Sequence, residues 1–262
     1  MNIFESRWLE NLDTIFNRVP NSTDAWFPSD TEDLFKNNYQ KYSDSPHLNF
    51  YKKNPIYYEY NNYGFRTTDD FNLQDYGNVY LGCSHTFGIG HDYLDMWSYK
   101  LHKKIGKGKF YNISEPSSGL MTQYRYLKYF SDKIKFKNVF HFLPSECWNR
   151  YEFTFNGNPP ELLDYKENSK HLKKYNNFIT DVLLYDENME FINTMCIDAI
   201  KSICKEHGAE YYLITDGFKR ENIDPYHKTM RPARDLMHYY VEEHDELSDL
   251  FLEKYQQNNK LI

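Results

Sequence analysis

Asn78-Val-Tyr-Leu-Gly82-Cys83-Ser84-His85-Thr86-Phe87-Gly88 is the stretch on which the reading of this chain turns. Asn78–Gly82 is a short apolar run closed by glycine, which predicts a buried strand. Working outward, Met96–Lys104 predicts a helix, Gly106–Gly108 a turn and Lys109–Ile113 a second strand. Leu120–Ser131 predicts a helix with Leu120, Tyr124, Leu127 and Phe130 on one face, and Asn138–Leu143 predicts a third strand stopped by Pro144. Glu187–His207 predicts a long helix, with Phe191, Met195, Ala199 and Ile203 on a helical step and Gly208 as its stop. Glu210–Thr215 predicts a fourth strand, and a helix over about Asp235–Tyr255 closes the chain.

This alternation of strand and helix predicts an α/β fold, three layers deep, around a central parallel sheet. Residues 1–75 read as an aromatic-rich N-terminal extension packed on the core, with a helix near Phe4–Phe16 and then turns and short strands. Residues 76–262 form the main domain, interrupted near 145–186 by a polar, aromatic insertion that contains Pro159-Pro160. Ligands of open parallel sheets bind beyond the carboxyl ends of the strands. That rule selects Cys83–Gly90, Asn112–Gly119, Pro144–Arg150 and Asp216–His238.

Composition narrows the function. With 31 Lys+Arg against 38 Asp+Glu the formal charge is −7, which argues against general nucleic-acid binding because that needs a basic surface to displace counterions. Hydrophobic residues make up 40 % of the 262, enough for a substantial core. The 25 Tyr and 19 Phe put much of that mass in rings, and Tyr suits half-buried clefts as well as interiors. The abundant Asn and Lys reflect codon bias of an AT-rich genome before function. No run approaches the roughly 20 apolar residues of a membrane span. Met1–Pro20 carries Glu5, Glu10, Asp13 and Arg18 where a signal peptide needs an unbroken apolar stretch. Cys83, Cys147, Cys196 and Cys204 form no C-x-x-C pair. Cys196 and Cys204 would lie about 12 Å apart along one helix, too far for a disulfide. A reducing, cytoplasmic setting follows as the expectation.

Two short motifs carry chemistry. Gly82 allows a sharp turn after the first strand, so Ser84 is displayed at the sheet edge near a helix start, where backbone N–H groups favour a developing oxyanion. The structural alternative makes Ser84 an N-cap. Far along the chain, Asp235-Leu-Met-His238 sets a carboxylate and an imidazole three apart at an expected helix start. The carboxylate can fix the imidazole tautomer, and serine needs such a base to act as a nucleophile. Here too the alternative is a cap, at Asp235.

With Ser84, Asp235 and His238 in that order, the chain resembles the SGNH/GDSL-type hydrolases, a flavodoxin-like superfamily of esterases and lipases that includes carbohydrate acetylesterases. Gly82-Cys83-Ser84 is similar to the family's G-D-S block, with Cys83 in place of the acidic residue, and Asp235-Leu-Met-His238 matches its D-x-x-H block. The resemblance covers about residues 60–255, including Asn61-Asn-Tyr-Gly64-Phe65-Arg66, which also reads as a turn closed by Gly64 with Phe65 in the core. It implies a Ser84–His238–Asp235 triad acting on a carboxylic ester, acyl or O-acetyl, of a small molecule or carbohydrate, with no metal or organic cofactor. It implies an oxyanion hole from the N–H groups of Ser84 and Gly119, Ser117 lying nearer the customary spacing. The family's third donor is an asparagine after the third strand. Asn149 stands for it here, with Ser145 and Arg150 as alternatives in Leu143-Pro-Ser-Glu-Cys-Trp-Asn149-Arg150. Trp148, Tyr151, Phe153 and Phe155 suit either sugar stacking or lid packing. The competing expectation is a catalytically weak scaffold of the same type, used for binding or for assembly in a virus.

Other motifs point elsewhere. Gly88-Ile-Gly90 lacks the third glycine of a dinucleotide fingerprint, no P-loop is present, and Thr86 replaces the last glycine of a G-x-S-x-G elbow. Gly106-Lys-Gly-Lys109 reads as a helix-to-strand turn before a phosphate contact. His85, His91, Asp92 and Asp95 read as solvated helix-start residues rather than metal ligands, and His244 as facing solvent.

Overall fold

Ahead of the main sheet, β1 (Thr23–Asp24) pairs antiparallel with β2 (Tyr58–Glu59), and two helices, α1 (Glu32–Lys41) and α2 (Pro46–Lys53), lie between them. A computed structural model gives the fold and describes residues 18–148, 150–153, 161–164, 185–215 and 223–259, so the helix expected near Phe4–Phe16 falls outside the described residues. The turns and short strands expected before residue 75 are joined by these two helices. Thr31 and Ser45 cap them through side-chain oxygens that accept from Leu34 N–H and Leu48 N–H, and Pro46 opens the second.

The core follows as β3 (Tyr76–Gly82), α3 (Ser84–Phe87), α4 (Trp97–Ile105), β4 (Lys109–Ser114), α5 (Leu120–Ser131) and β5 (Lys135–Leu143). An antiparallel pair, β6 (Arg150–Phe153) and β7 (Glu161–Asp164), comes next, and then α6 (Asp186–Glu206), β8 (Glu210–Thr215) and α7 (Val241–Asn259). Four strands form one parallel sheet in the order β4-β3-β5-β8. The order reverses at β3, whose neighbours are the second and third strands in sequence, so a crevice opens past the carboxyl ends of β3 and β5.

Both sheet faces are buried, which is why the strands read as continuous apolar runs. Val79, Leu81, Ile113 and Val139 face α5 and α6, packing with Leu120, Leu127, Ile200 and Ile203. Tyr80, Phe110, Phe140 and Tyr212 face α4 and α7, packing with Trp97, Leu101, Leu247 and Phe251. Tyr80, Phe140 and Tyr212 share one row of the register, their rings stacked at 5.5 and 4.9 Å. The N-terminal segment joins the same core through Phe65 and Phe71, which stack at 5.3 Å and meet Phe130 edge-on.

A polar chain crosses this core. The Ser118 hydroxyl donates to Gly82 O (3.1 Å) and accepts from Gln123 Nε2 (3.1 Å). The Gln123 carbonyl accepts from His141 Nε2 (2.6 Å), and His141 Nδ1 accepts from the Tyr211 hydroxyl (2.7 Å). Burial pushes the His141 pKa down to about 3, and buried His91 and His244 are pushed down as well, burial again the largest cause. As pH falls below about 6.5 the unfolded chain takes up these protons before the folded one does. Stability is therefore full above about pH 6.5 and declines below it by up to about 1.4 kcal/mol per pH unit for each histidine. Denaturant unfolding at pH 7 and pH 5 checks this. Equal midpoints at the two values would contradict it.

Candidate functional site

The site begins where β3 runs out. A Cβ at Gly82 would lie 2.1 Å from Thr86 Oγ1 and 2.8 Å from Phe142 O, so only glycine lets the chain turn here into α3. Cys83, extended at φ −103° and ψ −150°, is the N-cap of that short helix, and it makes no side-chain cap bond. Ser84 is thus the first helical residue and not the cap, which removes the structural alternative for its hydroxyl. Buried Cys83 has Cys147 as a hydrogen-bond partner, and this contact, with His85 and Arg150 nearby, holds its thiol below its ordinary range against the effect of burial.

The loop leaving α3 is held from inside. Arg66, fully buried, donates to Phe87 O (3.2 Å), His91 O (2.8 Å), Tyr57 O (3.2 Å) and Gly88 O, with the Tyr58 ring 4.4 Å from its guanidinium carbon. The expected turn is there too, with Gly64 at φ +79° and Phe65 buried, and Arg66 follows directly from it. Gly90 O then accepts from Arg234 N–H at 2.8 Å, joining this loop to the second motif. Arg234 is itself buried against Asp30, with Nη2 to Oδ2 at 2.6 Å and Nε to Oδ1 at 3.1 Å, and its guanidinium lies 4.1 Å from the Trp26 ring centre. The Tyr58 hydroxyl donates to Asp30 Oδ2 (2.5 Å) and accepts from Gly90 N–H (2.9 Å), closing the circuit.

Asp235 and His238 lie in a turn and not in a helix, correcting the expectation of a helix from Asp235. Leu236 takes a left-handed conformation at φ +57°, and Asp235 Oδ1 accepts from Met237 N–H (3.0 Å) and His238 N–H (3.3 Å). The helix starts only at Val241, where Glu243 accepts from Tyr240 N–H at 2.6 Å, one half of a capping box. Asp235 Oδ2 lies 2.6 Å from His238 Nδ1. A carboxylate accepts, so Nδ1 carries the proton and Nε2 is left as the basic nitrogen.

Ser84 and His238, 8 % and 7 % exposed, line the same cavity of about 480 Å³. Ser117, Arg150 and the ion pair of Arg18 with Glu115 share its wall, and Trp26, Phe27 and Tyr60 supply its rings. Gly119 does not line the cavity; its Cα side is pressed against Arg150, and a Cβ there would sit 2.0 Å from Arg150 O. Asn149 lies outside the described residues, as does Phe155. Tyr151 is buried and Trp148 packs against the core, so these two rings serve packing.

The histidines expected in solvent are buried, which is a further correction. His85 stacks on Tyr239 at 3.8 Å and meets His238 edge-on at 5.1 Å. His91 and His244 lie 4.4 Å apart, with His244 Nδ1 accepting from Trp97 N–H at 3.0 Å. Of the two aspartates read with them, Asp92 accepts from Leu94 N–H and Asp95 pairs with Arg231. Among the described residues no group of three or more His, Cys, Asp or Glu could hold a metal ion, and no helix is long and apolar enough to cross a membrane.

Compared with known proteins, the chain matches no family model and no curated protein.

Sequence reading assigned no role to Asp30, Arg66 or Arg234, because each acts through partners far along the chain. The nearest signal was positional, since Arg66 closes the quoted Asn61–Arg66 segment and Arg234 directly precedes the Asp235–His238 motif. Asp30→Ala leaves the Arg234 guanidinium buried without its carboxylate, and should cost about 3–5 kcal/mol. Urea unfolding measures this directly; a loss below about 1 kcal/mol would show that the pair does not hold the site together.

Proposed function

We propose that the chain is a serine ester hydrolase of the SGNH type, and the observation that carries this reading is the Asp235–His238 pair at 2.6 Å opening into the cavity that Ser84 lines. The strand order β4-β3-β5-β8, second-first-third-fourth in sequence, agrees with a flavodoxin-like sheet. Ser84 also follows the first of these strands, as the G-D-S resemblance requires. Ser84 Oγ attacks the acyl carbon while His238 Nε2 takes its proton; His238 then returns the proton to the leaving alcohol, and water repeats the cycle on the acyl-enzyme. Asp235 holds the ring and stabilises its imidazolium form.

The cavity favours a compact ester with a polar alcohol half. Charged and hydroxyl groups from Arg18, Glu115, Arg150 and Ser117 alternate with rings from Trp26, Phe27 and Tyr60. This composition suits an O-acetylated sugar better than a long acyl chain, which would need a continuous apolar channel. The rings come from the N-terminal segment, while Trp148 and Tyr151 of the loop after the third strand pack inward.

Purified protein should hydrolyse p-nitrophenyl acetate. Ser84→Ala and His238→Ala should each lower kcat by at least about 10³-fold, and Asp235→Asn by about 10³–10⁴-fold. A fluorophosphonate probe should label Ser84 and no longer do so in the His238→Ala variant. Identical rates for all four proteins would favour the competing scaffold reading, to which Cys83 in the acidic position also points.

A further inference from the structure

We propose that Cys83 and Cys147 are a redox pair, which hydrogen peroxide closes into a disulfide and a dithiol reductant opens again. The pair goes beyond the ester chemistry and does not depend on it. All four cysteines, each among the described residues, are thiols. The fold brings two of them together. β3 and β5 are parallel neighbours with Leu81 opposite His141, and a Cβ at Gly82 would lie 2.8 Å from Phe142 O. The chain therefore leaves the two strands side by side. Cys83 is the first residue past β3, and Cys147 ends the 3₁₀ turn Ser145–Cys147 past β5, its N–H donating to Pro144 O at 2.9 Å. Both side chains are fully buried in the same apolar cluster, and the two thiols are hydrogen-bond partners. Sulfurs already in contact need only a short movement to reach bonding distance.

The surroundings decide which thiol reacts. The contact with Cys147, and then the charges of His85 and Arg150, hold Cys83 below the ordinary thiol range against its burial. Arg150 Nη1 also donates to Cys147 Sγ at 3.6 Å, and a donor on sulfur favours the thiolate. Cys196 and Cys204, on α6, meet burial without such help, which pushes their thiols up to about 11 and about 12. Cys196 is the more exposed of the four, so exposure alone would oxidise it first. Thiolate character selects Cys83 instead. The cavity supplies the approach, since Ser84, next to Cys83, and Arg150, bonded to Cys147, both line it.

In the first step the Cys83 thiolate attacks one oxygen of hydrogen peroxide. A sulfur–oxygen bond forms, the oxygen–oxygen bond breaks, and the departing hydroxide takes the Cys147 proton and leaves as water. The Cys147 thiolate then attacks the Cys83 sulfur. The sulfur–sulfur bond forms, the sulfur–oxygen bond breaks, and the second hydroxide takes up the proton that Cys83 had lost. Two thiols and one peroxide thus give one disulfide and two waters, the sulfurs being oxidised and the peroxide oxygens reduced.

The test treats the full, folded chain with hydrogen peroxide, alkylates it in denaturant and maps the peptides by mass spectrometry. The Cys83 and Cys147 peptides should appear joined, two hydrogens lighter than their sum, with Cys196 and Cys204 alkylated. Dithiothreitol should return all four to alkylation. In Cys147→Ala, Cys83 should be trapped by dimedone as a sulfenic acid and pass on to a sulfinic acid that dithiothreitol does not reverse. Cys83 and Cys147 both recovered alkylated after prolonged excess peroxide would overturn the inference. So would Cys83 joined to another cysteine, or Cys83 held as a sulfinic acid in the parent chain while Cys147 stays alkylated. A second readout rests on the ester-hydrolase reading. Cys83 is the N-cap of α3, so closing the disulfide displaces Ser84. Fluorophosphonate labelling of Ser84 should slow by at least about tenfold and recover with dithiothreitol, because a misplacement of about 1 Å can cost about 10²-fold. A closed disulfide with unchanged labelling would overturn the displacement of Ser84. No labelling of Ser84 in the reduced protein would overturn the ester-hydrolase reading, while the peptide map still decides the redox pair.

Discussion

The joint between Gly90 and Arg234 holds the rest of the site together. One backbone bond of 2.8 Å ties the loop leaving the Ser84 helix to the turn that carries Asp235 and His238. The Arg234 side chain meanwhile reaches the other way, to Asp30 in the N-terminal segment. A buried ion pair is costly to desolvate, and it persists only where every polar group finds a partner. Here Asp30 meets Arg234 through three contacts and takes the Tyr58 hydroxyl as well, while Arg234 also donates to Ala25 O and lies over Trp26. The pair therefore contributes less to net stability than to register. It fixes which residue of the late turn faces which residue of the early loop, and that register brings His238 onto the cavity that Ser84 lines.

The four strands and three of the helices between them were legible because their signals are local. Buried parallel strands are apolar on both faces, and helices alternate with them on a single period; both patterns survive without knowledge of distant partners. β5 extends back to Lys135 and β3 to Tyr76, small shifts at the polar strand starts. The last helix was placed too early for an equally local reason. Asp235 has the chemistry of an N-cap, but it spends both oxygens on its own turn and on His238, so the cap falls five residues on, to Tyr240 with Glu243. The capped helices α1 and α2 carried readable signals in Thr31 and Ser45-Pro46, and the high Asn, Asp and Tyr content around them favoured turns instead.

The site divides the same way. Ser84, Asp235 and His238 were legible as candidates because each sits in a short motif of residue types suited to the proposed chemistry. Arg150, which shares the cavity wall, entered the sequence reading only as an alternative to its neighbour. Its seating against Gly119 is a contact between the start of α5 and the start of β6, and such contacts leave no mark on either local sequence. The same holds for Arg66, whose four carbonyl partners come from two separate loops.

The buried histidines behind His238 bear on how its ring can work as a base. In the proposed reaction the ring takes a proton from Ser84 and becomes an imidazolium, and any cation close behind it would oppose that change. His91 and His244 each feel the charge of His238, yet burial holds both well below the range where they would ionise at neutral pH. His85 presents its ring edge-on at 5.1 Å and engages its own face with Tyr239. The charged group that meets the ring at Nδ1 is the buried Asp235 carboxylate. Exposed histidines would have delivered positive charge to this spot in mildly acidic solution. Held neutral by burial, His91 and His244 bring no such charge to the neighbourhood of His238.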